Sequence, residues 1–163
     1  MDSRGALKAG IVGGERMVTA YLADLSDADL LARAVPGTNH IAWQLGHLIY
    51  AERWMMDLVR PGSVPELPPG FHEQHSNDTA SSDDPAKFLT KAKYLEIFQG
   101  VRAGTLALLE KMSDADLDEQ APERLRHFLP TVGNVFAMQG THWVMHAGQW
   151  AIIRRTLGKP PLF

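Results

Sequence analysis

Thr141-His142-Trp143-Val144-Met145-His146-Ala147-Gly148-Gln149-Trp150 is the stretch that decides how this chain is read. Its flanks are apolar and helix-forming. On an α-helix, side chains four residues apart lie one above the other on a single face. His142 and His146 therefore present two imidazoles in the same direction. Two such groups can hold a metal ion from one side, and a tetrahedral or open octahedral site then needs at least one further ligand from elsewhere. A His-x-x-x-His pair on a helix is more often two surface or satisfied core histidines. The rest of the chain must therefore supply the third ligand.

Working outward, the apolar pattern has a period of three to four residues throughout, which predicts helices. The last long helix spans about Thr131 to Leu157, ends at Gly158 and is followed by Pro160-Pro161. A first helix covers about Ala6 to Ala23, with Leu7, Ile11, Gly14, Val18 and Tyr21 on one stripe. Gly10, Gly13 and Gly14 weaken it intrinsically, so either tertiary packing holds it or another helix approaches closely there. A second long helix, capped by Thr38 or Asn39, runs to about Arg60. A third runs from about Pro85 to Lys111. Two short helices are expected after Ser26 and after Ser113, where the string Ser-Asp-Ala-Asp-Leu occurs twice with its serine at the N-cap. The stretch from Pro61 to Pro85 reads as a long aperiodic loop, and its His72 and His75 as solvated residues.

The two Ser-Asp-Ala-Asp-Leu copies invite a wider comparison. Residues 39–47 can be laid on residues 134–142, and Asn, Ala, Gln and His coincide at the same offsets. A duplicated helical hairpin explains two matched segments in the same order. His47 and His142 then become equivalent positions on paired helices, and the second copy adds His146. Three histidines converge in the bundle interior on this reading.

Bulk composition excludes several function classes. The chain has 163 residues, 45% of them hydrophobic, which suits one folded domain spanning 1–163. A net charge of -3 with no basic stripe argues against nucleic acid as a partner. No apolar run reaches the roughly 20 residues of a membrane span, and no signal peptide is expected from the first residues. Cysteine is absent, which removes disulfides, thiolate ligands and a cysteine nucleophile. A cytoplasmic, soluble protein is expected.

Asn39-x-x-x-Trp43-x-x-x-His47-Leu48, a third helix, and His142-x-x-x-His146-Ala147-Gly148-Gln149 before Leu157-Gly158-Lys159-Pro160-Pro161 resemble the DinB/YfiT-like superfamily over nearly the whole chain. The resemblance implies an all-α, four-helix bundle with a long crossover between the second and third long helices, typically as a homodimer. It also implies a metal triad of one histidine from the second helix and two from the last, which falls on His47, His142 and His146. Zinc or nickel is the usual ion. Some relatives are thiol-dependent transferases or isomerases that use bacillithiol, mycothiol or glutathione. Trp54, Met55 and Met56, apolar on more than one helix face, add a slight hint of a dimer.

Three neutral imidazoles leave a coordination position open, as catalytic zinc sites do. With no cysteine in the chain, a thiol nucleophile must arrive as a cosubstrate, while water would make the protein a hydrolase. A non-catalytic, stress-associated metal-binding bundle is the alternative from another class. Trp43, Tyr50, Gln139 and Gln149 are the candidates for pocket or supporting positions around the ligands. Glu52 is excluded as a general base because it lies about 140° around its helix from His47. His40, His72, His75 and His127 are not expected to be required for metal binding.

Overall fold

The computed structural model describes residues 2–162. These residues form six α-helices: α1 (Ser3–Leu22), α2 (Ile41–Val59), α3 (Phe71–Gln74), α4 (Lys91–Leu109), α5 (Asp114–Asp118) and α6 (Val132–Thr156). The described residues contain no strand, only an isolated bridge between Gln120 and Thr131. None of the described helices is long and apolar enough to cross a membrane. The four long helices make the bundle, and α1 and α2 each pack against both α4 and α6.

The close approach at the first helix is real, and α6 is the partner. A Cβ at Gly14 would stand 3.0 Å from the Gly140 carbonyl oxygen, and one at Gly140 would stand 2.9 Å from that of Gly10. Backbone meets backbone there, which no larger residue allows. At the other end of α6, Arg154 is buried and pairs with Asp24, and its Nη1 also donates to the Tyr21 carbonyl at 3.0 Å.

Local chemistry sets most helix ends, and several differ from expectation. Asp2 caps α1 through Gly5 N–H, so the helix starts earlier than Ala6. The cap of α2 is His40, not Thr38 or Asn39: its Nδ1 accepts from the Trp43 N–H at 3.1 Å. A backbone carbonyl, that of Ser82, lies 3.0 Å from His40 Nε2. It can only accept, so Nε2 carries the proton and Nδ1 is free to cap. The two serine-acid repeats diverge. Ser113 and Asp116 form a full capping box and start α5. Ser26 and Asp29 make the same reciprocal bonds, but only a single 3-10 turn, Asp29–Leu31, comes after them. The second short α-helix is α3, inside the segment read as loop.

That segment is the largest departure. Residues 61–90 carry α3 and two 3-10 turns, Asn77–Thr79 and Pro85–Lys87. The third long helix begins at Lys91 behind a Thr90 cap, because Asp84 and Pro85 start a separate turn. His75 is buried at 4% exposure, not solvated.

The core divides into two apolar clusters, one around Trp143, Trp150, Tyr94 and Phe98, the other around Met56, Leu109, Leu125 and Phe136. Along α2, α4 and α6 a polar group sits between them. The Glu52 carboxylate accepts from Arg102 Nη2 at 2.8 Å, Thr105 Oγ1 at 2.8 Å and Trp143 Nε1 at 2.9 Å. Burial raises the Glu52 carboxyl above its ordinary range, and Arg102, Thr105 and Trp143 pull it back. Three donors on two oxygens fit the ionised form.

Candidate metal centre

His47 is carried by α2, and His142 and His146 by α6. One ring nitrogen from each lies within 4.8 Å of the others. The ring centroids are 5.3 Å apart for His47 and His142, 5.6 Å for His47 and His146, and 5.0 Å for His142 and His146. His146 is buried, while the other two are half-buried. Burial disfavours the imidazolium at all three. His142 and His146 are pushed down to about 4, and His47 is lowered too, so near pH 7 the cluster offers lone pairs and not charges. No cysteine, aspartate or glutamate joins the group among the described residues.

Two neighbours orient the ligands. Gln44 Oε1 lies 2.8 Å from His146 Nδ1 and 2.8 Å from Trp150 Nε1. The indole N–H can only donate, so the atom it meets is the amide oxygen. The other end agrees, since Gln44 Nε2 donates to the Asn39 carbonyl at 2.6 Å. His146 therefore carries its proton on Nδ1 and turns the Nε2 lone pair outward, the arrangement in which a supporting acceptor fixes a ligand's tautomer. Trp43 stacks flat against His47, centroids 5.3 Å apart and 6° from parallel.

Beside His47 lies a cavity of about 540 Å³, with Trp43, Tyr50 and Trp54 from α2 on one side and Ser76, Asn77 and Asp78 on the other. The segment that supplies the second side is a strap fixed to α2 at three places. Trp43 Nε1 donates to the Ser76 carbonyl at 2.9 Å. His72 stacks on Tyr50 at 4.0 Å. The His75 ring fills the notch left by Gly46, where a Cβ would stand 2.0 Å from its Cδ2. His75 Nδ1 faces the Phe71 carbonyl at 2.7 Å, so it holds the proton and Nε2 accepts from Tyr94 O–H at 2.7 Å.

The remaining sequence candidates fall outside the cluster. Gln139 donates to the Val135 carbonyl at 2.7 Å and approaches Met55 Sδ at 3.6 Å, in the core beside Arg102. Gln149 is exposed and lines a separate cavity of about 350 Å³ whose lining also includes Gln44. Gln44, which sequence reasoning missed, is the repeat counterpart of Gln139, so the signal was present and was assigned to the wrong copy. Met55 and Met56 are buried within the chain, which removes their support for a dimer.

Comparison with known proteins adds a family and a fold. The model of a family described as the DinB superfamily matches residues 12–150. Among curated proteins, none matches. A crystal structure of a conserved protein from Enterococcus faecalis is similar to this chain, with a TM-score of 0.70 and 15% identity, over 98% of this chain and 99% of that one. At that identity the likeness speaks for the fold alone.

Proposed function

Since the chain belongs to the DinB superfamily, we propose that His47, His142 and His146 hold one divalent ion, zinc or nickel, in a metal-dependent enzyme that transfers a small thiol to an electrophile. The observation that carries this reading is the convergence of three neutral imidazoles with no fourth protein ligand among the described residues. The donor set fits such an ion. Nitrogens around zinc sit at about 2.0–2.1 Å from it, so a modest contraction of the cluster suffices. When bound, a divalent ion supplies Lewis acidity and makes a thiol or water beside it a stronger acid.

The chain's own residues supply the rest. Gln44 holds His146 in one tautomer and Trp43 backs His47, so two of the three ligands are preset. The strapped cavity beside His47 gives a substrate room and walls. The chain has no cysteine, so the thiol comes from bacillithiol, mycothiol or glutathione. Glu52 is committed to Arg102, which leaves no buried carboxylate at the cluster to serve as a base. That favours a thiol, which needs less help to ionise than water, over the hydrolase reading. A non-catalytic bundle is the remaining alternative. A homodimer belongs to the same proposal, and its support within the chain is the exposure of Val144 and Met145 beside the groove between α1 and α6. Light scattering at micromolar concentration should give twice the chain mass.

Elemental analysis after zinc or nickel loading and desalting tests the site. Wild type and His127→Ala should retain one ion per chain, and His47→Ala, His142→Ala and His146→Ala should lose it. Equal retention in all five proteins rejects the assignment. Loaded protein incubated with each thiol and an electrophile panel should consume thiol only when metal is present. A full complement of metal without turnover would support the non-catalytic bundle.

A further inference from the structure

The cavity beside His47 has a lining that restricts what can enter it. Trp43, Tyr50 and Trp54 give it three aromatic side chains from α2. Asp78, exposed on the strap, is the one carboxylate among its lining residues, and no lysine or arginine lines it. The cation nearest in sequence, Arg53, turns away and pairs with Glu66 at 2.6 Å and Asp57 at 3.7 Å. Apart from the imidazoles of His47, His72 and His75, the lining thus offers one charged group, and it is an acid. Aromatic faces carry negative potential and attract cations placed over them.

We propose that this cavity binds a flat organic cation, a ring bearing a protonated amine, with the ring against the α2 aromatics and the amine directed to Asp78 on the strap. The inference rests on the reading of His47 as part of a reaction centre, and names the class of the molecule that reacts there. The placement divides the work between two elements. Helix α2 supplies the aromatic surface next to His47, and the strap supplies the charge. The Trp43–Ser76 bond and the seating of His75 against Gly46 fix the strap before any ligand arrives, so little ordering is needed on binding.

Three probes of one shape separate charge from stacking: 2-phenylethylamine, 2-phenylethanol and 3-phenylpropionate. Each is titrated into wild type, Asp78→Asn and Trp54→Ala by ligand-observed NMR, in metal-free and zinc-loaded protein. In metal-free protein the amine should bind about fivefold tighter than the alcohol, and the acid weakest. Asp78→Asn, a change at an exposed position, should erase the advantage of the amine and leave alcohol binding unchanged. Trp54→Ala should weaken amine and alcohol alike. Equal or tighter binding of the acid to metal-free protein, an amine preference that survives Asp78→Asn, or no binding of any probe at millimolar concentration overturns the proposal. Zinc retention is read separately. Loss of the metal site with the charge order intact would reject the proposed function and leave the cavity assignment standing.

Discussion

Replacing Glu52 with Gln keeps the volume of the side chain and removes its charge. Its partner Arg102 is 2% exposed. Arg102 Nε and Nη1 already lack partners, and Nη2 would keep only the Gln139 carbonyl at 3.0 Å plus whatever the new amide offers. Trp143 Nε1 and Thr105 Oγ1 would compete for a single amide oxygen. An arginine does not deprotonate to escape this, so the chain is left with an uncompensated buried charge. Removing one partner of such a pair costs about 3–5 kcal/mol, a large share of the roughly 5–15 kcal/mol that holds a domain folded. At about 2–4 °C per kcal/mol for a chain of this size, Tm should fall by about 6–20 °C. Urea unfolding monitored by circular dichroism measures the free energy directly. Glu52→Gln combined with Arg102→Met should recover at least half of the loss, since the charge that caused it is gone. A loss under about 1 kcal/mol in the single variant, or no recovery in the double one, would mean that Glu52 and Arg102 do not form a buried ionic link.

Three further outcomes arise from the histidines and their neighbours. His75, His142 and His146 are held near 4, below the ordinary 6.5, so between those values the unfolded chain takes up more protons than the folded one. Stability of metal-free protein should be level above about pH 7 and decline steadily from about pH 6.5 to 4, and a melting temperature that rises on acidification would contradict it. Gly46→Ala places a methyl on the His75 ring and should cost about 1–3 kcal/mol, partly restored by adding His75→Ala, and a neutral result in thermal melts would show that the notch is not tight. Gln44→Leu strips the acceptor from His146 and Trp150 and should weaken zinc binding by about 10–100-fold in chelator competition, whereas unchanged affinity would show that the amide does not orient the ligand.

Much of the fold was legible from local pattern. The four long helices come from apolar periodicity, a close approach to the first helix is one of two readings of its glycines, and the meeting of His47 with His142 and His146 comes from helical spacing plus the internal repeat. What failed depended on contacts between distant segments. His75 looks solvated among Ser, Asn and Asp, and only its seat against Gly46 on another element buries it. The two glutamines of the repeat are equivalent in sequence, yet Gln139 meets Met55 while Gln44 meets Trp150 and His146, so the partner helix decides their roles. The matched Ser26 and Ser113 caps make the same bonds. Beyond Ser26, however, the chain makes only a 3-10 turn before reaching Pro36-Gly37.

Trp43 serves two masters. One face of its indole lies on His47, and its N–H holds the strap at Ser76. The strap cannot lift at that point without releasing the indole, and the indole cannot turn without freeing the imidazole behind it. Opening and ligand geometry are thus one mechanical event, like a latch that shares its pin with the hinge. The amide protons of residues 71–79 should then exchange more slowly when the histidine cluster is filled, although none of those residues is a ligand, and the residence time of anything in the cavity should lengthen with them.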